Sequence, residues 1–172
     1  MRLILPAVVL ALAAVAGCAA TPTGATLSQS GAPAAPVPAG NSNIVQLPFG
    51  GSFNGTALQI GLSKPVAYTP SDSAFITQNT GRYLAFNLTV GDRTADQSFP
   101  AMAISVQAES GSTQDQAVED SANNIGVSTA TILPGKALTW EVAFSVPATA
   151  HDVTVQVTST GGGKVIVFSG SI

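Results

Sequence analysis

The sequence predicts an all-β fold, an antiparallel β-sandwich of about seven to eight short strands, with a small closed barrel as the alternative. From Ile44 to the end of the chain, apolar and polar residues alternate with a period of two. Turn-forming residues such as Pro134-Gly135 and Gly161-Gly162-Gly163 separate these runs. No stretch has the 3.6-residue period of an amphipathic helix.

The strand predictions follow this alternation along the chain. The runs that we expect to form strands are Ile44–Leu47, Leu58–Leu62, Val66–Tyr68, Leu84–Val90, Met102–Val106, Val127–Leu133, Leu138–Val146, Val153–Val157 and Val165–Phe168. The strongest is Leu138–Val146, in which Thr139, Glu141, Ala143 and Ser145 face the other way. Trp140 belongs to its apolar side, and we interpret it as a core residue.

A polar, acidic segment interrupts the strands at residues 107–126. Its length predicts a functional loop, and we take Asp115, Glu119 and Asp120 as a candidate interaction loop. Carboxylates can also bind calcium, but their spacing does not match an EF-hand loop. We therefore favour a solvated acidic loop without a metal.

The N-terminal segment has the pattern of a secretory signal. Arg2 is followed by an apolar run from Leu3 to Ala16, shorter than the roughly 20 residues that a spanning helix needs. The closing residues Val15, Ala16, Gly17 and Cys18 resemble a bacterial lipobox. That resemblance implies lipidation of Cys18 and cleavage between Gly17 and Cys18. The alternative is an ordinary signal peptide that is cut nearby.

These patterns divide the chain into three parts. Residues 1–17 are the predicted lipoprotein signal peptide. Residues 18–43 are the lipidated cysteine and an uncharged spacer rich in Pro, Gly, Ser, Thr and Ala, a composition that favours disorder. Residues 44–172 form the sandwich domain. Two or more acyl chains are enough to anchor such a protein in a membrane.

Charge and cysteine content argue against a nucleic-acid partner and against an internal disulfide. Charged residues make up only 9% of the chain, and the formal net charge is −3. Nucleic-acid binding requires a basic surface, so we expect no nucleic-acid partner. A single cysteine cannot form an internal disulfide, so packing alone must hold the exported domain.

Two stretches resemble one family of exported bacterial proteins. Leu133-Pro134-Gly135-Lys136 followed by Trp140–Pro147 is similar to a recurring turn and strand of that family, and Arg82–Val90 resembles its central strand. The family is an immunoglobulin-like domain of unknown function that includes a secreted mycobacterial immunogenic protein. The resemblance covers roughly Thr56 to Ile172 and implies an immunoglobulin-like β-sandwich, without catalytic residues.

The residues that could carry catalysis are few. His151 is the only histidine and lies next to Asp152, but no Gly-x-Ser-x-Gly or Ser-x-x-Lys motif accompanies it. One histidine and one cysteine cannot build a zinc site. Lys164 follows three glycines without the spacing of a phosphate-binding loop, so a hairpin turn is favoured. We expect neither an enzyme nor a cofactor.

The favoured hypothesis is therefore a lipid-anchored protein on the extracytoplasmic side of the cell membrane, where its sandwich domain acts as a binding module. Its partner would be an envelope protein or a small ligand. The alternative is a structural or accessory envelope lipoprotein, and a hydrolytic enzyme is the third choice. Sandwich domains offer end loops and unpaired strand edges for contacts.

Overall fold

The fold consists almost entirely of short β-strands. In the computed structural model, residues 43–77, 81–160 and 163–172 are described, and within them the chain forms twelve strands and two turns of 3-10 helix. The all-β prediction is confirmed, with more strands than expected because four have only two or three residues. The strands are β1 (Ile44–Pro48), β2 (Ser52–Asn54), β3 (Leu58–Leu62), β4 (Val66–Ala67), β5 (Gly81–Asp92), β6 (Phe99–Pro100), β7 (Ile104–Ser110), β8 (Thr113–Val118), β9 (Thr131–Ile132), β10 (Ala137–Pro147), β11 (Asp152–Ser159) and β12 (Val165–Ser171).

The strands form two layers that share one core. One layer has the order β1-β12-β11-β7, and the other has the order β10-β5-β3-β2, with β4 also paired to β5. Strand β8 belongs to both layers, because residues 113–115 pair with β7 whereas residues 116–118 pair with β10. Hydrogen bonding therefore continues from one layer to the other through β8. Strands β6 and β9 form a separate short pair.

The central pair of the second layer is β5 with β10. Their antiparallel register extends from Ala137 opposite Gly91 to Pro147 opposite Gly81. The alternating apolar rows of both strands face the core, as the sequence predicted. Asp92, expected to lie beyond the strand end, is still part of β5.

One pairing departs from the antiparallel prediction. Strand β1 lies parallel to β12, with Ile44 opposite Val165 and Pro48 opposite Ser169. The first and last strands of the domain are not joined by a hairpin, so no tight turn forces them to run in opposite directions. All other strand pairs in the described residues are antiparallel.

The main core is built around Phe86 on β5. Its side chain is fully buried, and its ring centroid lies 5.3 Å from that of Phe49 and 6.3 Å from that of Phe144. Phe168 and Ile166 of β12 are fully buried in the same cluster. The core therefore joins both layers, as a sandwich requires.

A smaller apolar cluster covers the outward face of β5 and β10. Its buried members are Ala85, Val118, Ile125 and Ala143, against which Tyr68, Ala74, Ile76 and Tyr83 pack. Backbone hydrogen bonds between Phe75 and Glu119 join the covering segments. The alternation predicted that Ala143 and Ser145 face away from the core. They do, but their small side chains leave room for the covering segments on this outer face, which bury them.

Three predicted stretches are corrected by the structure. The expected loop at residues 107–126 is mostly ordered strand, because it contains the end of β7, all of β8 and a 3-10 turn at Ser121–Asn123. Strand β8 lacks the apolar alternation that predicts a strand, because its residue 115, which is buried, is an aspartate. Met102 precedes β7 in the 3-10 turn Ala101–Ala103, and the strand expected at 127–133 is only Thr131–Ile132.

Candidate ligand-binding site

A cleft opens between the two layers where β8 crosses from β7 to β10. Ile104 and Val106 of β7, Ala117 of β8, and Trp140 and Val142 of β10 line it. We call it the Trp140 cleft. Its volume is about 260 Å³. An engineered apolar cavity of about 150 Å³ already admits benzene, so this cleft can take a single-ring molecule.

Trp140 reaches the cleft because β10 alternates with a period of two. Its neighbours on the same face, Val142 and Phe144, are buried in the core. Trp140 itself is half-buried, packs against the core and also lines the cleft. The pairing between β8 and β10 ends at Val118 opposite Ala143, which leaves room beside Trp140. The interpretation of Trp140 as a core residue is thus correct only in part.

Two exposed apolar side chains from distant parts of the chain border the cleft. Met102 comes from the 3-10 turn before β7 and is 63% exposed, and Val127 is 64% exposed. Val127 is positioned by Gly126, whose N–H donates to the Glu141 carbonyl oxygen at 3.2 Å. Exposed apolar side chains beside a cleft are typical of a binding surface.

Glu119 supplies a charged group to the wall of the cleft. It follows β8 directly, and both its backbone N–H and its carbonyl oxygen bond to Phe75. A Cβ placed on Gly126 would lie 2.0 Å from Glu119 Oε2, so this carboxylate packs closely against the Gly126 backbone. Gly126 has a φ of +134°, which favours glycine. Among the described residues that line the cleft, Glu119 is the one with a formal charge.

The next residue, Asp120, fixes this part of the wall. It is fully buried, and its carboxylate accepts hydrogen bonds from the Ser71 N–H and hydroxyl, each at 2.7 Å, and from the Asn123 amide at 2.9 Å. The Tyr68 hydroxyl donates to it as well. These donors, the Ser71 N–H first and Tyr68 second, hold the pKa of Asp120 well below its usual range. The ionised carboxylate ties the segment at 68–71 to the end of β8.

Asp115 lies on β8 with a different environment. Its Oδ2 accepts a hydrogen bond from the Ser110 hydroxyl at 2.7 Å, while Oδ1 is buried without a partner among the described residues. Burial raises the pKa of the Asp115 carboxyl, and the Coulombic effect of Glu109 adds to this, whereas the Ser110 hydrogen bond opposes it.

The three acidic residues predicted to form an interaction loop thus have separate positions. Asp115 and Asp120 are buried, and Glu119 is exposed. The solvated-loop prediction is wrong for the two aspartates, because one lies in a strand and the other is enclosed by four donors. A contact of these residues with a partner stays a prediction.

A second cleft, of about 440 Å³, lies between β3 and the start of β12. Phe53, Leu58 and Ile166 line it together with Lys164, the lysine that follows the glycine run. Ser159 and Gly163, which flank a stretch outside the described residues, also line this cleft. We therefore base the candidate site on the Trp140 cleft.

The other candidate residues lie apart from both clefts. His151 is exposed, and the neighbouring Asp152 accepts a hydrogen bond from the Ser171 hydroxyl at 2.9 Å. The hydroxyl therefore bonds to the carboxylate directly instead of through an imidazole, unlike a Ser–His–Asp triad. Within the described ranges, no group of three His, Cys, Asp or Glu residues is arranged to hold a metal ion.

The lipobox residues Val15, Ala16, Gly17 and Cys18 lie outside the described residues, as do the rest of the signal peptide and the spacer up to residue 42. Lipidation and cleavage therefore stay predictions. In the part of the chain that the structure describes, no helix is long and apolar enough to cross a membrane.

Several solved structures share the fold. No protein-family model and no curated protein matches the chain. MPT63, a secreted protein of Mycobacterium tuberculosis, has a TM-score of 0.55 and 17% identity over 73% of this chain and 97% of its own. The candidate lipoprotein ycdA of Bacillus subtilis has a TM-score of 0.54 and 16% identity over 70% of this chain, which spans only 38% of the ycdA chain. The yjhA protein of Bacillus subtilis has a TM-score of 0.53 and 10% identity over 70% of this chain and 98% of its own.

At these identities the likeness shows the fold alone. It confirms the β-sandwich that the resemblance to the secreted mycobacterial family implied. The cleft itself was missed by the sequence analysis, because Met102, Glu119, Val127 and Trp140 are distant in sequence. Met102 and Val127 were each expected at the start of a strand, and the structure places both before the strand begins, where they are exposed.

Proposed function

We propose that this chain is an exported lipoprotein, anchored through Cys18 on the extracytoplasmic side of the membrane, whose sandwich domain binds a small apolar ligand in the Trp140 cleft. The N-terminal signal pattern and lipobox support export and anchoring. The fold shared with secreted MPT63 and with the candidate lipoprotein ycdA is consistent with that location.

The observation that carries the binding proposal is the cleft itself. It combines a half-buried tryptophan with two apolar side chains, Met102 and Val127, that are each more than 60% exposed. Leaving such side chains in water costs free energy that a ligand would recover. A ligand burying about 150 Å² of apolar surface gains about 4 kcal/mol at roughly 25 cal/mol/Å². This corresponds to a dissociation constant near the millimolar range, which sets the probe concentrations.

Intrinsic fluorescence tests the binding proposal, because Trp140 is the only tryptophan in the chain. Titration with benzyl alcohol, a neutral single-ring probe, is expected to shift the Trp140 emission to the blue and to saturate. Val127→Asp places a charge at the rim and should weaken binding at least threefold, since an apolar contact is lost.

The matched control is Leu133→Asp. Leu133 is 59% exposed, close to the 64% of Val127, but it is not among the described residues that line the cleft. This variant should titrate like wild type. A shift that never saturates, or equal losses in the two variants, would contradict binding in the cleft.

The anchor is tested separately by detergent-phase partition with intact-mass measurement in a bacterial host. Wild type should enter the detergent phase with a mass that begins at Cys18 and includes acyl chains, whereas Cys18→Ser should not. If both proteins remain aqueous and are cut at another position, the protein is secreted without an anchor.

A further inference from the structure

We infer that the Trp140 cleft selects a small organic cation, a molecule with one apolar ring or a short aliphatic chain that carries a protonated amine. The inference rests on the proposed function, since it names the charge class of the ligand at the same site. Three observations support it. They are the charge of Glu119, the position of its carboxylate against Gly126, and the attraction of the Trp140 indole for cations.

The electrostatic asymmetry of the cleft is the first observation. Glu119 is negatively charged, and none of the other described residues that line the cleft carries a formal charge. Most of the remaining lining is apolar, from Ile104, Val106, Val142 and Phe144 among others. A ligand amine would meet a carboxylate at the wall while its apolar part meets hydrocarbon. A ligand carboxylate would meet only repulsion from Glu119.

The position of the Glu119 carboxylate is the second observation. Any side chain at residue 126 would place its Cβ only 2.0 Å from Glu119 Oε2, which is too close for two atoms that are not bonded. Only glycine allows this approach. The backbone of Glu119 is held by two hydrogen bonds to Phe75, and the adjacent Asp120 is enclosed by its donors. The Glu119 backbone is therefore anchored next to the cleft, and its carboxylate lies against Gly126, which also lines the cleft.

Trp140 provides the third observation. The face of an indole ring attracts cations more strongly than any other aromatic side chain does. Trp140 and Glu119 line the same cleft, so both would favour a positive charge there. The volume of about 260 Å³ equals roughly nine water volumes of about 30 Å³ each, which suits a single ring with a short amine arm. The formal net charge of −3 would also attract cations over a longer range.

The test compares three probes of nearly the same shape on the mature chain, residues 18–172, produced without acyl chains. The probes are benzylammonium, benzyl alcohol and benzoate, and binding is followed by Trp140 emission and by calorimetry. Benzylammonium should bind about tenfold more tightly than benzyl alcohol, through one partly exposed ion pair and one cation–π contact. Benzoate should bind more weakly than the alcohol. Raising the salt to 1 M should reduce the preference.

Glu119→Gln should lower the preference for the cation, measured as the ratio of the two dissociation constants, to the part that the cation–π contact with Trp140 supplies. Glu109→Gln is the matched control, because Glu109 is an exposed glutamate on β7 that is not among the described lining residues. It should keep the tenfold preference. Thermal unfolding of both variants confirms that each is folded.

The outcomes separate the two proposals. If benzyl alcohol and benzylammonium bind wild type equally, the cation inference is wrong while the apolar binding site stands. A tenfold preference that survives undiminished in Glu119→Gln also overturns the inference. If neither probe binds, both the inference and the proposed function fail.

Discussion

Replacing Phe86 with alanine tests whether one core joins the two layers. Phe86 is fully buried, and its ring contacts Phe49 from the segment after β1 and Phe144 from β10. The same cluster includes Phe168 on β12, in the opposite layer. Removing the ring should therefore weaken packing across the whole sandwich.

The expected loss follows from the burial of this side chain. A phenylalanine buries about 150–250 Å², worth about 4–6 kcal/mol at roughly 25 cal/mol/Å². Measured Phe→Ala substitutions in cores cost about 3–5 kcal/mol because the site relaxes in part. We expect Phe86→Ala to lower the free energy of unfolding by about 4 kcal/mol, a large share of the 5–15 kcal/mol typical of a domain.

Urea unfolding followed by Trp140 emission measures this loss. Phe75→Ala is the control, since the Phe75 side chain is 65% exposed and the same atoms are removed. It should change stability by less than about 0.5 kcal/mol. Phe86→Leu, expected to cost about 1.5 kcal/mol, keeps the test informative if the alanine variant does not fold. A loss below about 1 kcal/mol for Phe86→Ala would refute the packing described above.

Three further predictions concern single residues. The lowered pKa of Asp120 means that the unfolded chain takes up a proton first as the pH falls. Its stabilising effect is therefore complete above the unfolded pKa of about 4 and is lost below it. Asp120→Asn should lower the urea midpoint at pH 7 and flatten its fall as the pH drops below about 4; an unchanged acid profile would contradict this. Asp115 has a raised pKa, so its charged form opposes folding above that pKa and the penalty is relieved as the pH falls through it. Asp115→Asn should raise the melting temperature at pH 7 and lose this advantage near pH 4, and a lower melting temperature at pH 7 would be the opposite result. Gly126→Ala should cost about 1 kcal/mol or more because residue 126 has a φ of +134°, and it should shift Trp140 emission because the new Cβ would displace the Glu119 carboxylate. Gly111→Ala, at a φ of +64° with open space around it, should leave the emission unchanged.

The sequence predicts the strands that have an apolar face. The row from Leu84 to Val90 and the row from Leu138 to Val146 were expected and form β5 and β10. Each alternates strictly because one side meets the core. The short strands β2 and β6 were missed, and β9 was predicted too long, as part of residues 127–133, since two or three residues cannot show a period.

Strand β8 was missed for a different reason. It crosses between layers, and its inward residue at position 115 is an aspartate in place of an apolar residue. Its composition therefore indicates a loop. The pairing with β7 and β10 supplies the hydrogen bonds that hold it in a strand, and such long-range pairing is invisible in local sequence.

The candidate site was also out of reach of local patterns. Glu119 was noticed as an acidic residue and Trp140 as a core residue, but nothing in the sequence links them. The fold brings them to one cleft because β8 and β10 are neighbours, while Gly126 provides the space that the carboxylate needs. The predicted signal peptide and the lipobox resemblance, in contrast, rest on local sequence patterns, and both stay predictions.

The most direct test of ligand binding in the Trp140 cleft is a magnetic-resonance titration of the mature chain. Cleavage before Cys18 would remove Met1 and leave Met102 as the only methionine, in the same cleft as the only tryptophan. The Met102 methyl and Trp140 indole signals should both shift and saturate with benzylammonium, while the signals of Phe53 and Lys164 in the second cleft stay in place. Shifts confined to Phe53 and Lys164 would contradict binding in the Trp140 cleft.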